Sequence, residues 1–244
     1  MDYEQLYANG NESEIWDRLC DLDFVREPQF LDAARSIARE AMRRTRRNIE
    51  RLALKWEQAG HRFGYEWAGQ WAAKYVANAP PLLDKPHASD LAALDRYEHE
   101  KGPLPIVLRA FYEVIGAVNF VGDVADGWPE PEILDPLQVQ AFLPQLAGLL
   151  EDQTDEIVIC PDNCHKYFRS GVGSLTVQVP SSSFDAVLRF EDGELEIDGA
   201  PLTFGRYLRD SILKRGGIGP VAGFNDDAPD PSLIAFLTQD LEPF

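Results

Sequence analysis

The chain is expected to fold as an α+β protein: a mixed or antiparallel sheet flanked by helices and preceded by a helical N-terminal segment. Three observations carry this. Residues 28–60 hold a long 3.6-residue apolar period. Residues 157–197 hold short β-type runs broken by Asp192-Gly193, a hairpin signal. Between them, Gly102 to Phe120 reads as a turn, a helix, a glycine stop and a strand.

In chain order, Glu14–Cys20 is a short amphipathic piece and Pro28 opens a longer helix. On that helix Leu31, Ala34, Ala38, Met42, Ile49, Leu52 and Trp56 fall near one face. Arg35, Arg39, Arg43, Arg46 and Arg47 occupy the others, and Gly60 ends it. His61 to Tyr65 is a candidate strand start. Pro80, Pro81 and Pro86 mark an irregular crossing. Ser89 is the expected N-cap of a helix carrying Leu91, Leu94 and Tyr97.

Pro105 suits a first helical turn, where its missing N–H costs nothing. Leu104, Leu108, Phe111, Tyr112 and Ile115 make one stripe, and Gly116 sits where a helix end favours a left-handed residue. Strands are expected at Val118–Val121, Ile157–Cys160, Leu175–Val179, Ala186–Phe190 and Glu194–Ile197. Thr203 then caps a helix with Phe204, Tyr207, Leu208 and Ile212 on one face, stopped at Gly216-Gly217. Asp230 and Pro231 open a last short helix. The expected divisions are a helical segment 1–76, a linker 77–88, an α+β domain 89–219 and a tail 220–244.

The Gly102–Phe120 stretch, behind an acidic helix and ahead of a β-rich region, resembles the SMI1/KNR4-like family, also called SUKH. The α-α-β-β-β-β-α order over roughly residues 89–215 extends the resemblance. It implies a mixed sheet packed against helices and a binding module. Many bacterial members of that family are immunity proteins against secreted toxins. The basic helix, the tail and an irregular insert over Asp123–Asp135 lie outside a minimal version of that pattern.

Charge is distributed unevenly. The total is −18, yet residues 26–62 carry ten Lys/Arg against five Asp/Glu, a local +5, so the remainder carries −23. Between Arg109 and Lys166 there is no Lys or Arg while eleven Asp/Glu occur. Such a field repels nucleic acid and attracts basic partners. The simpler meaning of acidity is solubility, but ordinary solvated surfaces intersperse both signs. Three cysteines argue against a disulfide framework. No run of eighteen apolar residues exists, and the acidic start lacks an apolar core, so a cytoplasmic protein without a membrane anchor is expected.

Catalytic signals are thin. Cys160, Cys164 and His165 form the one cluster of metal-type ligands, and C-x3-C-H lacks the second knuckle of a structural zinc site. Cys160 ending a buried strand before an Asp162-Asn163 turn is the plainer reading, and a metal-dependent enzyme at this cluster is the alternative function. Glu151-Asp152, Asp155-Glu156 and Asp226-Asp227 lack the loop pattern of a calcium site. Ser170 to Ser174 lacks a phosphate-loop lysine, and no G-x-S-x-G occurs. No cofactor is expected. Arg43-Arg44-Thr45-Arg46-Arg47 could meet RNA phosphates or an acidic membrane, but pairing with acidic groups of the same chain, or a homodimer contact, is preferred. The expected function is a non-catalytic module binding a basic protein, such as a toxin. Its partner-binding residues are Asp123, Asp126, Glu130, Glu132 and Asp135 around Trp128, which serves as a buried anchor or as a core residue.

Overall fold

The computed structural model describes residues 3–63, 83–120, 122–123, 137–160, 174–190, 193–197, 199–219 and 231–244. Three helices come first: α1 (Tyr3–Ala8), α2 (Glu12–Cys20) and, behind a 3-10 turn at Pro28–Phe30, the long α3 (Leu31–Gln58). Six of the seven residues expected on the apolar face of α3 are buried, and Leu31 packs at its edge. Ile37, Ala41, Thr45 and Asn48 widen that face. The extra width lets one helix meet neighbours on two sides.

The strand expected after Gly60 is β1 (Arg62–Phe63). After β2 (Leu83–Asp84) comes α4 (Ala88–Glu100), whose cap is His87 rather than Ser89. The Asp90 carboxylate accepts the His87 N–H at 2.7 Å, which starts the helix two residues early. Leu91 is correspondingly exposed, while Ala93, Leu94 and Tyr97 face the core. Pro105 caps α5 (Ile106–Val114), and the first N–H groups of α5 donate to Ser183 O and Phe184 O. Gly116 ends it at φ +91°; a Cβ there would lie 2.1 Å from Asp84 O.

The strands pair antiparallel throughout the described residues. β3 (Ala117–Asn119) lies between β2 and β5 (Gln138–Val139), and β4 (Gly122–Asp123) pairs with β1. After α6 (Leu146–Leu150), β6 (Glu156–Cys160), β7 (Leu175–Gln178), β8 (Leu188–Phe190) and β9 (Gly193–Glu194) form a meander. Gln140 N donates to Ile159 O at 2.8 Å and stitches the two larger sheets together.

The strand expected at Glu194–Ile197 is split. Glu194 pairs with Arg189, whereas β10 (Glu196–Ile197) turns back on β11 (Ala200–Pro201). Leu188, Leu195 and Leu202 close the corner with three mutual backbone hydrogen bonds. Thr203 caps α7 (Phe204–Arg209) through its side chain, a π turn at Asp210–Lys214 follows, and Gly216 and Gly217 take positive φ. Pro231 opens α8 (Pro231–Thr238), of which Leu237 is buried and Phe236 is not; Asp230 lies outside the described residues.

One buried cluster runs from Tyr7 to Phe244. Within it α3 packs on α5 more extensively than any other pair of described elements. The N-terminal helices are thus built into the same core as the α+β region. Trp56 Nε1 donates to Gly216 O at 2.6 Å, and a ring of His61 on Trp56 and Phe63 continues to Phe120. At the other end, buried Asp185 accepts from Trp16 Nε1 (3.2 Å), Gly205 N and Ala186 N, joining α2 to the start of α7. Among the described residues no helix is long and apolar enough to cross a membrane.

Candidate functional site

Asp126, Trp128, Glu130, Glu132 and Asp135 lie outside the described residues, as do Cys164 and His165. Asp123 is described by its backbone, which pairs with Arg62 across β4 and β1. That register lays the start of the acidic insert beside the end of the basic segment. Cys160 ends β6 with 1% of its surface exposed and its Sγ 4.0 Å from Gln138 Oε1. The thiol therefore faces the core, and no group of three metal-type ligands occurs among the described residues.

The arginines of α3 are the best-defined electrostatic feature. Arg39 Nε donates to Glu113 Oε2 at 2.7 Å, and Arg44 bridges Glu12 (2.8 Å) and Glu40 (3.3 Å). Arg43 pairs with Glu40, Arg46 with Glu50, and Arg47 and Arg51 with Glu242 at 2.7 and 2.9 Å. Glu113 is partly buried, with 15% of its side chain exposed. Burial alone would raise its carboxyl, but hydrogen bonds from Arg39 and Arg109 outweigh burial and hold it below the usual glutamate range. Glu242 is held below that range too, chiefly by the Arg47 guanidinium.

The partner of Arg47 and Arg51 belongs to a strap that crosses α3. Asn48 reads the Glu242 peptide on both sides, donating to its carbonyl at 2.8 Å and accepting its N–H at 2.9 Å. Arg44 donates to Pro243 O, Arg51 to Asp240 O and Arg209 to Phe244 O, and the Phe244 ring is buried. Lys55 caps the end of α8 by donating to Phe236 O, Leu237 O and Gln239 O.

The acidic side is differently provided. Among the described acids between Arg109 and Lys166, Glu113 meets two guanidiniums and Asp152 meets Lys101. Glu151, Asp155 and Glu156 have no cation within ion-pair distance among the described residues. Their hydrogen bonds come from neutral groups instead, Gln153 Nε2 to Glu151 and Gln178 Nε2 to Asp155.

A cleft of about 370 Å³ opens between the first half of α3 and α5, roofed by the loop after α2. Leu31, Arg35 and Arg39 line one wall; Ile106, Arg109, Ala110 and Glu113 line the other. Arg109 is tied to Asp95 (2.7 Å), Glu98 (3.2 Å) and Glu113 (2.9 Å).

Sequence reasoning anticipated internal pairing of the basic helix but not its partners. Glu113 and Glu242 are 74 and 195 residues from Arg39 and Arg47, and no local pattern signals such a distance. Asn48 carried a readable signal, a polar residue on the apolar face of a helix, which needs a buried partner. The cleft is assembled from four separate segments and has no motif. No protein-family model, curated protein or solved structure matches this chain.

Proposed function

We propose that this chain is a non-catalytic interaction module of the SMI1/KNR4-like, toxin-immunity type, whose acidic surface binds a basic protein. The observation that carries the reading is the internal use of cations. Six of the seven arginines of α3 lie against carboxylates of their own chain, while Glu151, Asp155 and Glu156 meet no described cation. The +5 segment is therefore neutralised inside the fold, and the field presented to partners is that of the net −18, carried by acids without described cations. Such a surface steers a basic partner to encounter and needs no catalytic group. The helix, glycine stop and strand at Ile106–Asn119, followed by an antiparallel meander and a Thr203-capped helix, support the family likeness. The buried Cys160 weighs against a metal-dependent enzyme at the C-x3-C-H cluster.

The contact region proposed is Asp123 to Asp135, with Trp128 as anchor. Reversing Asp126, Glu130 and Glu132 to Lys slows association and flattens its salt dependence, whereas Trp128→Ala speeds dissociation. If Trp128→Ala unfolds the protein while the reversals leave partner binding intact, Trp128 is a core residue and the surface lies elsewhere.

A further inference from the structure

We propose that the cleft between α3 and α5 binds a monocarboxylate carried on an apolar body, with Arg35 as the group that receives the carboxylate. Much of its lining is apolar, with Phe24, Leu31, Leu104, Ile106 and Ala110. Val25 stands at the rim with 75% of its surface exposed, a large apolar side chain facing water beside an apolar cavity. The volume of about 370 Å³ falls at the small end of the range for organic ligands.

The charges select the ligand. Three guanidiniums and two carboxylates line the cleft, a balance of +1. Arg39 and Arg109 are committed to Glu113, and Arg109 also to Glu98 and Asp95. Arg35 makes no hydrogen bond or ion pair among the described residues, alone among the arginines of α3, even though Asp32 lies one turn before it. A single free guanidinium has the planar, two-donor face that a carboxylate matches. A phosphate dianion would bring a second negative charge toward Glu98 and Glu113, and the latter is held ionised. An ammonium ligand would find both carboxylates already engaged and Arg35 opposing it.

The test uses the intact chain and three probes with one apolar body: octanoate, octanol and octylamine, titrated by calorimetry at low ionic strength. Octanoate is expected to bind one per chain, at least tenfold tighter than octanol, with octylamine weaker still. Arg35→Gln should weaken octanoate at least fivefold and leave octanol unchanged. Val25→Asp should weaken octanoate as well. Both side chains are exposed, so neither change removes core packing. Equal affinity for octanoate and octanol, no effect of Arg35→Gln, tighter binding of octylamine, or no saturable binding of octanoate would each overturn the proposal. None of these outcomes bears on the acidic surface, which lies on other residues.

Discussion

Asp185 shows how much one side chain can hold. Burial pushes its carboxyl above the usual aspartate range, with hydrogen bonds from Gly205 N, Thr203, Ala186 N and Trp16 opposing. Asp185→Ala would leave buried donors without acceptors and should cost about 3 kcal/mol, measured by denaturant unfolding. Gly205→Ala should destabilise by the same route, because its Cβ would meet Trp16 Cζ2 at 2.3 Å and Asp185 Oδ2 at 2.6 Å. The two acids titrate in opposite senses. Glu113 has a lowered folded pKa, so its stabilisation is full above the ordinary glutamate range and is lost as pH falls through the lower folded value. Asp185 has a raised one, so its contribution falls as pH rises from the ordinary aspartate range through the raised value. Glu113→Gln should therefore flatten the acid limb of a stability–pH curve, and an unchanged limb would show that the pair with Arg39 and Arg109 is not felt. The sequence offered only the local Arg109–Glu113 spacing on α5; the partners that bury Asp185, and Arg39 on Glu113, lie far along the chain.

At the scale of elements, α3 is the organising piece. Its length, apolar face and glycine stop were readable from period and composition, as were α5, Gly116 and the Thr203 cap, because local propensity and the fold agree there. The split after Glu194 was not readable. Leu195 ends one hairpin and begins the next, and a single apolar residue between glutamates does not say which strand it serves. The strap across α3 separates two kinds of contact. Glu242→Ala removes partly exposed ion pairs and should cost at most about 1 kcal/mol. Asn48→Ala removes two hydrogen bonds at a buried position and should cost about 2 kcal/mol. Amide exchange over residues 239–244 should quicken more in Asn48→Ala than in Glu242→Ala; the reverse order would make the strap an electrostatic attachment. Because these arginines are occupied, the intact chain should show no RNA or DNA binding at physiological salt, where fields fade over ~8 Å. A micromolar complex weakened by replacing Arg43, Arg46 and Arg47 would show that the local patch wins.

For the whole molecule, charge arithmetic carries the functional reading. The total of −18 and the gap in cations were visible in the sequence. Where the cations go was not, since ion pairs between α3 and the C-terminal strap depend on the folded path of the chain. The proposed interaction role predicts no stoichiometric transition metal; elemental analysis finding close to one zinc per chain, lost on replacing Cys164, would favour the enzymatic alternative. The central claim is tested most directly by immobilising the intact chain, passing an extract of its own source cells over it at low salt, and identifying what is retained. The same column is run with Asp126, Glu130 and Glu132 reversed to Lys, once circular dichroism shows both proteins equally folded. The account predicts a single strongly basic protein held by the native chain, released by salt and absent from the reversed one. Retention of no basic protein, or equal retention by both, would contradict it.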